Sequence, residues 1–442
     1  MRFSRAVIAA ACVSLLTLSA CSSGPDDSQN PAYQGAYLYG TDGNMANEFG
    51  AEFKEQPGLL NGMKGTLPLN EAEEAFLQGI KRINPGLKDR LYAGEAYDAV
   101  VISALAAQQA GSTEPAKIAK YINAVTVGGT ICRSVKQCLT LAKSGKPISY
   151  RGMTVRYGFS EVGEPATTSY GTVHFGDGNA LDNGKTEYLG TGNERDVTGQ
   201  KLPTPVKNGT TDKPLTFGGL LPKTGALAYT TPPMDAGAKL AIEEINAAGG
   251  VLGKPVKWIE GDDGTSVPKA KATIESHHAA GVQVLIGPGA SGVALATLPD
   301  AIKYGMVMFS PCNTSPDLTG FDDKGLYFRT APSDLLQARA LADVMLRDGL
   351  QRVAIVTHSD NYGKKLAEGV TKELVKAGVS EVDVQTYIYE ITDDGSVKDQ
   401  GELAKIANQI LPTNPDGVLV IGYSESAGAI KALAAAGAKI RH

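Results

Sequence analysis

The side chains of this sequence that could carry covalent chemistry are few and poorly arranged for it. Gly422-Tyr423-Ser424-Glu425-Ser426 begins like a nucleophile elbow, but its fifth residue is Ser where that tight strand-to-helix turn asks for Gly. A serine nucleophile also needs a base, and besides the terminal His442 there are His174, His277, His278 and His358. His277 and His278 are neighbours in a helical run, so they face different directions and are expected to be solvent-exposed. His174 and His358 show no acid or nucleophile partner in the sequence. Cys132 and Cys138 lie in Ile-Cys-Arg-Ser-Val-Lys-Gln-Cys with no histidine or third cysteine nearby, so metal binding by the pair is not expected. The chain reads as a non-enzyme without cofactor. Non-covalent chemistry is better served. Gly289-Ala290-Ser291-Gly292 falls between an apolar strand and a helix, where the Ser291 hydroxyl and the backbone N–H groups beside Ala290 can receive a carboxylate at the positive end of the helix dipole. An ordinary N-cap accounts for the same serine, and the two roles are compatible.

The elements that must position these loops alternate from residue 215 onward. Residues 216–222 read as a strand, 236–248 as a helix ending at Gly249-Gly250, 256–260 as strand, 267–280 as helix, 282–286 as strand, 294–304 as helix and 306–310 as strand. A second series runs 353–357 strand, 363–377 helix, 382–389 strand, 401–410 helix, 417–421 strand and 427–436 helix. Such alternation predicts α/β lobes, each a doubly wound parallel sheet covered by helices. The second series stops on a helix, and a lobe ending there would leave a sheet edge and an apolar helix face uncovered. The missing pieces lie at the other end: strands at 36–39 and 60–67, helices at 71–83, 90–110 and 115–127, and β-hairpin material at 154–175. Residues 190–213, rich in Thr, Gly, Asn and Pro without periodicity, read as a flexible link.

Arg2 and Arg5 precede an apolar stretch, 6–18, that is too short to span a bilayer but suits a signal peptide. Leu18-Ser19-Ala20-Cys21 resembles the lipobox of bacterial lipoproteins, which implies cleavage after residue 20 and a lipid on Cys21, followed by a polar tether over 21–30. Without Arg2 and Arg5 the net charge of −5 becomes −7. No Lys/Arg run appears, which argues against nucleic acid as a partner, and no later apolar run is long enough to cross a membrane. An exported compartment permits a Cys132–Cys138 disulfide; two separate buried thiols are the alternative.

Several segments resemble the branched-chain amino-acid-binding family of type I periplasmic binding proteins. These are Ile245-Asn246-Ala247-Ala248 into Gly249-Gly250-Val251-Leu252-Gly253-Lys254-Pro255, Leu285-Ile286-Gly287-Pro288-Gly289-Ala290-Ser291, and Phe309-Ser310-Pro311-Cys312-Asn313-Thr314-Ser315-Pro316-Asp317. Tyr327-Phe328-Arg329-Thr330-Ala331-Pro332-Ser333-Asp334 and Asn361-Tyr362-Gly363 continue in family order. Tyr92-Ala93-Gly94-Glu95-Ala96-Tyr97-Asp98 and Tyr150-Arg151-Gly152-Met153-Thr154 also match, but in the family they belong after the point where this chain ends. The resemblance implies two lobes joined by a multi-strand hinge and a circular permutation: 31–190 correspond to the family's C-terminal part, 191–213 to a link, and 214–442 to its N-terminal part. The rival account is a fusion of fragments from two binding proteins. Nearby chain termini make permutation physically reasonable.

The resemblance further implies a lipid-anchored, monomeric solute-binding protein that carries an amino-acid-like ligand to ABC permease subunits outside the cytoplasm. The alternative is a ligand-sensing receptor module for a small amide or amino-acid-like solute. It places Asn313 and Thr314 against ligand carboxylate and ammonium, where turn chemistry before Pro316 is the rival. Tyr362 and Tyr423 fall where the family presents aromatic rings, and Asp42 where it places an acid for the ammonium, an Asx-turn at Asp42-Gly43 being the alternative. Tyr229 falls in the first loop of one lobe, in a local sequence that departs from the family pattern. Cys312 is expected to be a small buried side chain.

Overall fold

The fold is seen in a computed structural model that describes residues 33–192 and 201–441. The signal peptide, the tether and Cys21 therefore lie outside the described residues, as does His442. Every element below belongs to the unit that begins at Gly35.

Runs of β-branched and aliphatic residues make the central strands, which are buried on both faces because helices cover both sides. In chain order the strands are β1 (Ala36–Gly40), β2 (Lys64–Pro68), β3 (Thr130–Cys132), β4 (Ile148–Tyr150), β5 (Thr167–His174), β6 (Glu187–Gly192), β7 (Thr216–Gly219), β8 (Lys257–Ile259), β9 (Val284–Ile286), β10 (Val307–Ser310), β11 (Tyr327–Arg329), β12 (Val353–His358), β13 (Val384–Tyr389), β14 (Gly417–Ile421) and β15 (Ile440–Arg441). One lobe is built on the parallel sheet β11-β10-β9-β7-β8. The other is built on β13-β12-β14-β1-β2-β5-β6, with β15 also paired to β1. In this second sheet β1, from one end of the chain, lies parallel to β14, from the other, with Leu38 opposite Val418. The sheet is mixed, since β5 runs antiparallel to both β2 and β6.

The chain passes between the sheets at residues 69–73, 151–166 and 330–333, apart from the segment that joins β6 to β7. The helix Ala93–Ala110 is buried along its whole length and packs on the helix Thr231–Ala247. The approach is close: a Cβ on Gly237 would lie 2.0 Å from Ala93 O, so only glycine fits. At its first turns, Asp98 accepts N–H bonds from Met153, Thr154 and Val155 and the hydroxyl of Tyr150. Phe159 meets Phe309 and Phe328 edge-on, at 5.9 and 6.3 Å. Early segments thus complete the core of the first lobe as well as the sheet of the second.

One local expectation is met in part and two are corrected. The hairpin expected at 154–175 is small, Phe159 pairing antiparallel with Pro165 around a turn in which Ser160 N–H donates to Glu164 O at 2.8 Å, while β5 starts only at Thr167 and pairs with β2 and β6. The link is not loose over 201–213: Val206 N–H donates to Gln109 O and Asn208 N–H to Lys143 O, pinning it across helix ends. His277 is buried rather than exposed, its Nε2 2.9 Å from Gly219 O, while His278 stacks on Tyr304. Cys132 and Cys138 are joined by a disulfide with Cα atoms 5.4 Å apart.

A candidate ligand cleft between the lobes

The loops after β9 and β10 bring backbone donors to the cleft. The helix Ser291–Lys303 starts right after Ala290, whose side chain cannot cap it, so its first-turn N–H groups have no intrahelical acceptor. Ser291 Oγ accepts from the N–H groups of Thr314 and Ser315, both at 3.2 Å, and so ties this helix start to the loop after β10. Behind it, Asn313 donates its amide to Pro288 O and Gly289 O, at 3.1 and 2.8 Å. Asp263 accepts from Gly289 N–H at 2.7 Å and from Thr265 N–H at 2.6 Å; burial pushes its carboxyl up to about 7.

The second lobe supplies the acid and the rings. Thr41–Asn44 turns sharply after β1, and the turn is closed by Asn44, whose Oδ1 accepts Thr41 N–H at 2.8 Å and whose amide reaches Val420 O. Asp42 is therefore released from local turn duty. Its buried carboxylate accepts from Tyr362 Oη and Gln337 Nε2, at 2.7 and 2.8 Å, and from Tyr92 Oη. Burial raises the Asp42 pKa, while the Tyr92, Tyr362 and Gln337 donors oppose the rise without cancelling it. Tyr362 lies in the first turn of the helix Asn361–Lys376, which Asp360 caps, and its ring stacks on Tyr423 at 5.6 Å and 13°.

Asp42, Gly43, Tyr92, Leu227, Thr230, Gly289, Ser291, Cys312, Thr314, Tyr362 and Tyr423 line one cavity. About 10 Å³ of it is open to a water centre, room for about one water, so an amino-acid-sized guest requires the lobes to part. Direct bonds bridge the lobes around it: Tyr229 Oη donates to Gly43 O, Ser424 Oγ to Ala226 O at 2.8 Å, and Ser315 Oγ to Asn361 Oδ1 at 2.5 Å.

Of the residues singled out in the sequence, Asp42, Ser291, Thr314, Tyr362 and Tyr423 meet at this cavity. Ala290 forms the helix start, Asn313 braces the loop from behind, and Tyr229 bridges the lobes; none of these three lines the cavity. Cys312 is buried and faces it, its thiol pushed well up by that burial.

Tyr92 and Gln337 were not singled out. Tyr92 holds a left-handed backbone, φ 58° and ψ 10°, a conformation that costs a tyrosine about 1 kcal/mol and clusters at functional sites. Its motif is legible in the sequence but that backbone is not. The expectation for His358 is also corrected: it lies 3.0 Å from Asp360 and 3.0 Å from Glu425, the second 67 residues further on and reached only by folding. Ser424, the serine of the elbow-like run, donates to Ala226 O instead of meeting a base.

Comparison with known proteins finds relatives for part of the chain. The family described as periplasmic binding protein matches residues 214–441. The Leu/Ile/Val-binding protein BraC3 of Rhizobium johnstonii is 30% identical over 217 residues, 48% of this chain and 56% of the relative. The Leu/Ile/Val-binding protein homolog 3 of Brucella melitensis is 32% identical over 171 residues, 38% and 46% of the two chains. The chain thus spans about half the length of these curated relatives. Among solved structures, an ABC transporter substrate-binding protein from Desulfitobacterium hafniense in complex with Leu is 27% identical, with TM-score 0.37, over 47% of this chain and 58% of that one. An R. palustris solute-binding protein in complex with benzoate is 26% identical, with TM-score 0.40, over 52% and 61%. With the family match covering more than half of its residues, the chain belongs to the periplasmic binding protein family, whose members are binding proteins and not enzymes.

Proposed function

We propose that this chain is an extracytoplasmic solute-binding protein of an ABC importer that closes its two lobes around an amino acid with an apolar side chain. The observation that carries this reading is a single cavity lined both by Asp42 and by the start of the helix Ser291–Lys303. A carboxylate needs N–H and O–H donors, and an ammonium needs an acceptor or a carboxylate; a zwitterion finds both here. Ser291, Thr314 and the helix start serve the first group, and Asp42 the second.

The side-chain preference follows from the tyrosines. The hydroxyls of Tyr92, Tyr362 and Tyr423 all donate to protein acceptors, so their rings offer a ligand hydrocarbon surface, extended by Leu227. Relatives named for Leu/Ile/Val binding fit such a wall. We further propose that Cys21 carries a lipid that holds the protein at the outer face of the membrane, where as a monomer it meets its permease. A circular permutation accounts for the chain order: the family match occupies 214–441, while β1 and β2, from the other end, sit beside β14 in one sheet.

Thermal-shift screening of the chain from Ser22 against the twenty amino acids, with benzoate as a carboxylate lacking an ammonium, tests the reading, because a ligand of the folded state raises its melting temperature. A shift with an apolar amino acid and none with benzoate is expected. A shift with benzoate alone would overturn the ammonium assignment to Asp42, and a chain without a cooperative melt would overturn the permuted single unit.

A further inference from the structure

We propose that His358 is a positioning residue of the ligand cleft: bridging Asp360 and Glu425, it fixes the aromatic wall made by Tyr423 and Tyr362. The proposal rests on the reading of the cavity as the ligand site. His358 ends β12 and is fully buried. Its Nε2 is 3.0 Å from Asp360 Oδ1 and its Nδ1 3.0 Å from Glu425 Oε1. Both carboxylates then hold Tyr423, at opposite ends. The Tyr423 hydroxyl donates to Asp360 Oδ2 at 2.7 Å, and its backbone N–H lies 3.1 and 3.0 Å from the two oxygens of Glu425.

The imidazole also touches the wall directly. It stands edge-on to Tyr423 at 4.5 Å and 78°, and edge-on to Tyr362 at 5.9 Å and 84°. Asp360 Oδ1 accepts Gly363 N–H at 2.8 Å, which sets the helix start that carries Tyr362. The approach of that helix to the ring leaves no space for a side chain, since a Cβ on Gly363 would lie 2.3 Å from His358 Cδ2.

The titratable groups around His358 are Asp360 on its own loop, Glu425 after β14, Tyr389 at the end of β13, and the two wall tyrosines. Tyr389 Oη donates to Glu425 Oε1 at 2.9 Å. Asp360 and Glu425, with side chains 16% and 5% exposed, would face a neutral ring unfavourably, and an imidazolium offsets both charges as an ion pair, although neither ring nitrogen is aligned for a hydrogen bond. In line with this geometry, burial opposes charge on the ring but the two carboxylates prevail and push its pKa up to about 10. His277 makes the contrast: it is buried on a single carbonyl and touches neither acid nor cleft wall.

The test uses the full chain and does not depend on knowing the ligand. With ¹⁵N-labelled histidine, one residue should carry protons on both ring nitrogens at about pH 8, and its signal should vanish in His358→Gln. Crystal structures of the wild type and His358→Gln should show the Tyr423 ring leaving its stack on Tyr362. With L-leucine as probe at about pH 8, where its ammonium is intact, His358→Gln should bind roughly fivefold more weakly than the wild type. A neutral His358 at about pH 8, or an unmoved Tyr423 in the variant, overturns the proposal. If L-leucine fails to bind the wild type, the ligand reading is what fails, and the ring positions still decide the role of His358. If His358→Gln does not fold, Glu425→Gln should displace Tyr423 in the same way, and an undisturbed wall there is equally decisive against it.

Discussion

The two faces of the cleft are made of different material. On the lobe built from β7 to β11, the face around the helix start is backbone and small residues, Gly289, Ser291, Cys312 and Thr314, braced from behind by Asn313 and Asp263, with Leu227 and Tyr92 beside it. On the opposite lobe it consists of side chains, Asp42, Tyr362 and Tyr423, held by a buried histidine and two carboxylates. Backbone donors survive most substitutions, while a charged carboxylate or an aromatic ring is lost with one. The first face therefore suits what every amino acid shares, and the second is where charge and shape can be tuned.

The largest effect should come from the charge network of the second face. The His358 pKa is held at about 10 against 6.5 when free, so its stabilisation is complete below pH 6.5 and is lost as pH rises through about 10. By linkage it amounts to a few kcal/mol. Urea unfolding at about pH 6 and pH 9.5 should show the wild type losing stability with pH and His358→Gln losing far less; parallel losses would make the two faces equivalent in this respect. Next, Asp42→Ala should weaken amino-acid binding by more than about 1 kcal/mol, since it removes a charged acceptor and strands the donors of Tyr92, Tyr362 and Gln337. Calorimetric titration with the best amino acid from the screen measures this, and an unchanged dissociation constant would remove Asp42 from the site. Because burial raises the Asp42 pKa, affinity should also decline on acidification before ordinary carboxylates titrate, a decline absent in Asp42→Asn.

Two smaller effects follow, one on each face. Tyr362→Phe deletes the hydroxyl shared with Thr41 and Asp42 and should cost about 1 kcal/mol of stability. Ser291→Ala should cost ligand affinity least, roughly 0.5 kcal/mol, because the N–H groups of the helix start remain. If calorimetry instead finds Ser291→Ala as damaging as Asp42→Ala, the first face works through its side chain and the contrast between the faces falls.

Legibility in the sequence followed the same divide. The all-apolar strands β9 and β14 could be read because burial on both faces leaves no polar alternation to confuse. The loop at Gly289–Gly292 could be read because glycines and a serine between a strand and a helix leave few conformations. Tyr92 could not, because a left-handed tyrosine is imposed by packing against local preference. Gln337 could not either: it lies on a helix and reaches Asp42 across 295 positions. The hairpin expected at 154–175 was legible in its turn, at Phe159–Pro165, but the pairing of β5 with β2 was not, since strand propensity says that a segment will pair but not with what.

By itself, the sequence determined the alternation of strands and helices and the loops that end at the cleft, both of which depend on residue type and near-neighbour spacing. Only the tertiary structure decided that β1 pairs beside β14, that Asn44 and not Asp42 closes the turn after β1, and that His358 has two acids for company. Those are meetings between residues up to several hundred positions apart, and they are set by which buried surfaces and unpaired polar groups find each other when the chain closes on itself.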